Sequence, residues 1–128
     1  MEGVVKTKVR GLSMFPTIRP GESVFVAPLE REPKRGDILF FKDNQGRSIM
    51  HRVVKEQNQE GQWVVMGDGY GRRFDLLSSE QILGQATFVE RGGKWLPLAS
   101  KRPWGFLKLF AFGYYWMTRL WYLLKSPI

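Results

Sequence analysis

The amino-acid sequence predicts a mainly β protein: an antiparallel sheet or partial barrel, followed by an aromatic, basic C-terminal helix. Two observations predict the sheet. Short apolar runs rich in Val, Ile and Phe recur about every ten residues, and Gly, Pro, Asp or Asn punctuates the gaps between them. A third observation predicts the helix, because beyond Pro103 the composition turns abruptly apolar and aromatic with interspersed Lys and Arg. The chain divides accordingly into a β-rich domain over residues 1–100 and an amphipathic helix over residues 101–128. With 128 residues, 43% of them hydrophobic, it has enough apolar side chain for a core of ordinary domain size.

Val4 to Val9 alternates apolar and polar residues, the pattern of a half-buried strand. Gly11-Leu12-Ser13-Met14-Phe15-Pro16-Thr17 interrupts that pattern. Gly11 tolerates backbone angles closed to other residues, while Pro16 fixes its own φ and pushes Phe15 towards extended geometry. Ser13 is therefore expected on a stiff, irregular turn. Pro20-Gly21 leads into a second strand, Val24 to Ala27, and Pro28 to Arg35 reads as a charged, proline-marked loop. Asp37 is a turn residue before Ile38-Leu39-Phe40-Phe41, an unbroken apolar run suited to a strand buried on both faces.

Asp43-Asn44-Gln45-Gly46 supplies turn chemistry, so the strand from Ile49 to Lys55 returns as a hairpin. After the polar turn Gln57 to Gly61 comes the strand Trp63 to Met66. The glycines of Gly67-Asp68-Gly69-Tyr70-Gly71 fit neither a dinucleotide nor a P-loop fingerprint, and no Lys-Ser pair follows. That loop reads as a tight turn positioning Asp68. Ser78 to Gln81 forms a single turn before a strand from Ile82 to Glu90, and Arg91-Gly92-Gly93-Lys94 turns the chain into Trp95-Leu96.

From Pro103 the chain can run helically to Lys125, about 34 Å. Phe106, Leu109, Phe110, Met117, Leu120 and Leu124 fall on one face, and Lys108 and Arg119 share another stripe. Tyr114, Tyr115, Trp116 and Trp121, with basic residues at both ends, have the composition of a membrane-interface helix. A charge at mid-membrane costs about 2.5–3.5 kcal/mol. Three placements stay open: on the interface, across the bilayer, or packed against the domain or a partner. Residues 103–125 make a membrane surface the expected partner, with the side of the membrane open.

The net charge of +8 favours anionic surfaces, acidic lipid or nucleic acid, without choosing between them. The absence of cysteine excludes disulfides, thiol nucleophiles and thiolate metal sites, and leaves the redox compartment open. A single histidine argues against a protein zinc site, and no cofactor is expected. Met1 to Arg10 lacks the apolar run of a signal peptide, so none is expected there.

Four sequence boxes carry a resemblance. Gly11 to Thr17, followed by Gly21-Glu22-Ser23-Val24-Phe25-Val26, resembles the nucleophile box of the signal peptidase I family, which self-cleaving SOS-type repressors share in related form. Arg35-Gly36-Asp37-Ile38-Leu39-Phe40-Phe41 resembles the family's Gly-Asp strand entry, and His51-Arg52-Val53-Val54 its second catalytic box. Gly67-Asp68 with Asp75 resembles the acidic box, and Ile82-Leu83-Gly84-Gln85 the closing strand. The ordered set covers about residues 10 to 90, far more specific than a lone Ser-Met-x-Pro.

The resemblance implies a serine endopeptidase acting on a precursor protein or peptide at a membrane. Ser13 would be the nucleophile and His51 the general base. Most bacterial members carry lysine where this chain has His51, so it looks more like the archaeal and endoplasmic-reticulum branch. A lysine must be desolvated to be neutral at pH 7, whereas an imidazole needs only a modest environment and an orienting carboxylate. Asp68 and Asp75 are the two candidates for that carboxylate, with Asp75 slightly preferred and the other holding the loop. Gly69-Tyr70 departs from the two asparagines often found there, and Arg72-Arg73 alters the loop further. The family also implies an oxyanion site at the Ser13 backbone N–H and an extended substrate pairing by β-augmentation, with small residues before the cut. Met14 and Phe15 are candidates for apolar substrate or membrane contact, or for core packing.

Two rivals stand beside this reading. One is a self-cleaving regulator, disfavoured because no helix-turn-helix precedes the serine box and such proteins use lysine as base. The other is a non-catalytic basic β-domain binding lipid or nucleic acid. Its aromatic residues concentrate in a helix rather than on a strand platform, which counts against nucleic acid. Oligomeric state is open.

Overall fold

The computed structural model describes residues 3–69 and 74–98. They form eight strands in a single antiparallel sheet: β1 (Val5–Lys8), β2 (Ser23–Ala27), β3 (Ile38–Lys42), β4 (Ser48–Lys55), β5 (Trp63–Met66), β6 (Phe74–Leu77), β7 (Ile82–Arg91) and β8 (Lys94–Pro97). The sheet is open, with strand order β1-β2-β7-β3-β4-β5-β6. Strand β8 pairs with β7 beyond the stretch that β3 occupies. The only helical turn among the described residues is a short 3-10 segment, Ser79–Gln81. The expected C-terminal helix, residues 101–128, lies outside the described residues, as do Tyr70, Gly71, Arg72 and Arg73.

Strand β3 explains the unbroken apolar run. Ile38 and Phe40 point into one cluster with Val9, Met14, Ile18, Val24, Val26, Met50, Ala86 and Val89. Leu39 and Phe41 point into a second with Val53, Trp63, Val65 and Leu77. Successive side chains on a strand alternate faces, so a strand with apolar layers on both sides must be apolar at every position.

The turns are built as their residues dictate. The Asp43 side chain accepts hydrogen bonds from the Gln45 and Arg47 backbone N–H groups and closes the β3–β4 hairpin. Asn58 does the same for Glu60 and Gln62 before β5. Asp37 is buried and accepts from the Lys34 N–H and the Arg31 guanidinium, fixing the entry to β3. Such side-chain bonds satisfy backbone donors that a tight turn would otherwise leave orphaned.

Two expectations need correction. The first strand is not half-buried: Val5 is 58% exposed, and burial begins only at Val9, past the strand's end. As an edge strand, β1 has a single neighbour to cover it. Strand β6 is the second: in Phe74-Asp75-Leu76-Leu77 only Phe74 is a strong strand former, beside Asp75, a residue depleted in strands. It is a strand because it pairs with β5, Val65 opposite Asp75.

Candidate active site

The serine turn is fastened at both ends. Gly11 adopts φ +90°, which a residue with a side chain rarely takes, and the Phe15–Pro16 peptide bond is cis. The Phe15 N–H donates to the Leu12 carbonyl and that of Ile18 to the Met14 carbonyl. Met14 and Ile18 are fully buried in the first cluster, so Met14 packs the core rather than facing a substrate or membrane. Downstream, Arg91 pairs with Glu22 and also donates to the Thr17 carbonyl. Ser13 itself is half-buried.

His51 lies on β4 opposite Leu39, and its ring meets Phe41 edge-on with centroids 5.9 Å apart. Its side chain is only 13% exposed. The structure brings this imidazole to the serine turn around Gly67, at the end of β5. A methyl group at Gly67 would lie 2.3 Å from the Ser13 carbonyl oxygen and 3.3 Å from His51 Nε2. A methyl at Gly69 would meet the Leu12 carbonyl oxygen at 2.4 Å, and the Gly69 N–H donates to the Ser13 carbonyl at 2.9 Å. These two glycines let the acidic loop lie directly against the serine turn.

The two aspartates occupy different environments. The Asp68 side chain is fully buried and accepts from Arg52 Nε and Nη2 at 3.0 and 2.9 Å, and from the Thr17 hydroxyl. Arg52, also buried, donates its Nη1 to the Gly36 carbonyl. Burying two charges costs several kcal/mol each, and only a bidentate, fully hydrogen-bonded geometry such as this offsets the loss. Through Asp68, the serine box, β4 beside His51 and the acidic loop become one unit.

Asp75 instead shares the His51 face of the sheet. Its Oδ2 lies 3.9 Å from His51 Nδ1, beyond hydrogen-bond reach, and its side chain is half exposed. His51 Nδ1 is buried and has no hydrogen-bond partner among the described residues. Burial pushes the imidazole pKa below its ordinary 6.5, with Asp75 and then Asp68 pulling the other way. At neutral pH the ring is therefore uncharged and able to accept a proton. Asp37, some way along the chain from these groups, is committed to its turn.

Thr17, Arg52, Gly67 and Gly69 belong to the site; the sequence places them in its motifs and the two glycines in a turn, but does not foretell the Thr17 and Arg52 bonds to Asp68 or the close approach of the glycines to the serine turn. One signal was present: Arg52 falls on the inward face with Met50 in an apolar strand, and a buried arginine requires a carboxylate partner. Among the described residues no group of three or more His, Cys, Asp or Glu side chains is placed to hold a metal ion, and no helix is long and apolar enough to cross a membrane.

No protein-family model matches the chain, and no match is found among curated proteins.

Proposed function

We propose that the protein is a serine endopeptidase resembling signal peptidase I, which removes a leader or signal segment from a precursor protein or peptide. The observation that carries this reading is the meeting of the Ser13 turn and His51 Nε2 around Gly67. The chain's only imidazole and the serine of its most distinctive motif are far apart in sequence, and their approach at Gly67 supports a shared role. Its depressed pKa suits the work of a base near neutral pH.

In this reading Ser13 Oγ attacks the scissile carbonyl carbon while His51 Nε2 takes its proton. The tetrahedral oxyanion collapses, the C–N bond breaks, and His51 returns the proton to the leaving amine. Water then attacks the acyl-enzyme, with His51 again as base, and frees Ser13. A proton on Nδ1 leaves Nε2 as the acceptor, and Asp75 is the carboxylate on the Nδ1 side. Asp68 acts at one remove, holding the turn and β4 together through Thr17 and Arg52.

Membrane association belongs to the same proposal, through residues 103–125. The exposed Phe88, Trp95 and Leu96 beside the end of the described chain support it, since aromatic rings favour the lipid interface.

The test is incubation of the full chain and its Ser13→Ala variant with a panel of short precursor peptides, read by mass spectrometry. Cleavage at one bond by the wild type alone is expected. Equal cleavage by both proteins, or none by the wild type across the panel, would remove the enzyme reading.

A further inference from the structure

Three strands present an unpaired long edge among the described residues, and they differ in how that edge is protected. β1 carries Lys6 and Lys8, and β8 carries Lys94 and Pro97. Charged side chains and proline are the usual devices that stop a further strand from adding. β6 has neither lysine nor proline. Its outward residues Phe74 and Leu76 are 59% and 48% exposed, and its remaining polar side chain is Asp75. Among the described residues, the edge with neither lysine nor proline is thus the edge that carries the candidate orienting carboxylate.

The contact this strand leaves unmade lies on its other face. Among the described residues His51 Nδ1 is buried without a hydrogen-bond partner, and Asp75 stands 3.9 Å away, half exposed. A small displacement of β6 would close the gap and satisfy a buried polar atom. The charged groups acting on the ring are Asp75 from β6 and Asp68 from the loop after β5, the latter already held by Arg52 of β4.

Resting on the serine-peptidase reading, we infer that β6 is a docking strand for an extended segment of the substrate polypeptide, apolar at alternate positions. Its addition seats Asp75 against His51 Nδ1. Alternate apolar side chains of the added segment cover Phe74 and Leu76, while its backbone pairs with the open edge of β6. The added segment pairs on the edge of β6 away from β5, whereas the scissile bond lies at the Ser13 turn beside Gly67. The edge suits substrate better than a second copy of the chain. Two β6 strands pairing about Asp75 would set two carboxylates side by side, and like charges directly opposite are destabilising.

The probe is a short synthetic peptide with leucine at alternate positions, against a control of the same composition with its leucines consecutive. The host is full-length Ser13→Ala protein, so binding is read without cleavage. The alternating peptide should slow hydrogen exchange at the β6 amides that face away from β5 and shift the imidazole resonance of His51, the only histidine in the chain. In the Asp75→Asn background β6 should still be protected while the His51 shift is lost. With cleavable substrates, Leu76→Lys should raise KM about tenfold when the alternating segment is present. It should leave cleavage of a substrate lacking that segment unchanged.

The inference fails if the β6 amides that face away from β5 are already protected in the free protein, whether by a second copy or by the chain itself. It fails equally if both peptides act alike, or if Leu76→Lys leaves KM unaltered. Those results would leave the peptidase reading standing, whereas loss of the Ser13 dependence of cleavage would remove that reading first.

Discussion

Gly67 and Ser13 are in contact so close that no side chain fits between them: a β-carbon on Gly67 would come to 2.3 Å from the Ser13 carbonyl oxygen. The same carbon would crowd His51 Nε2 at 3.3 Å. Gly67→Ala must therefore push the serine turn and the imidazole apart. Cleavage should fall on the order of 10²-fold, because displacements of about 1 Å carry that cost. Stability should fall by about 1–3 kcal/mol, as for other overpacked sites. Urea unfolding alongside kinetics would separate the two effects.

Asp68 and Asp75 should separate by assay. Asp68→Ala leaves the buried Arg52 guanidinium without its carboxylate and should cost about 3–5 kcal/mol in denaturant unfolding. Asp75→Asn alters a half-exposed side chain, so stability should stay within about 0.5 kcal/mol while kcat falls on the order of 10²-fold. A large stability loss in Asp75→Asn with unchanged kcat would reverse the assignment.

His51 supplies a pH prediction. Burial lowers its pKa, so the base form persists below 6.5, and the acid limb of kcat/KM should lie below that value. For stability the unfolded chain takes up the proton first. The contribution is complete above about 6.5 and is lost as pH falls from there through the lower folded pKa. Since this is the chain's only histidine, proton NMR reads its titration directly. His51→Gln should flatten the stability profile across that window. An unchanged profile in the variant would mean that another group titrates there.

Met14→Ala tests how the proposed nucleophile, Ser13, is anchored. Met14 is 1% exposed in the first cluster, so truncation should cost about 2–5 kcal/mol. Cleavage should drop even at temperatures where calorimetry shows the variant folded, because the residue next to Ser13 has lost its seat.

Much of this could be read in the chain. The apolar run Ile38 to Phe41 specified a strand with two covered faces, and the Asp43 and Asn58 turns fell where their side chains close them. What escaped was tertiary. Phe74 to Leu77 has weak strand propensity and becomes β6 through its pairing with β5. The contrast between Asp68 and Asp75 depends on which face each side chain takes, and a loop of glycines does not specify that. Gly67 and Gly69 stood out as turn residues, but their close approach to Leu12, Ser13 and Phe15 is a contact between segments far apart in sequence.

The most direct measurement of the central claim is acid-quenched trapping of the acyl-enzyme, using an activated peptide ester and intact-mass spectrometry with peptide mapping. The account predicts one acyl group on Ser13, formed on the order of 10²–10⁴ times more slowly in His51→Gln. An acyl group on another residue, or an equal rate of formation in His51→Gln, would contradict it.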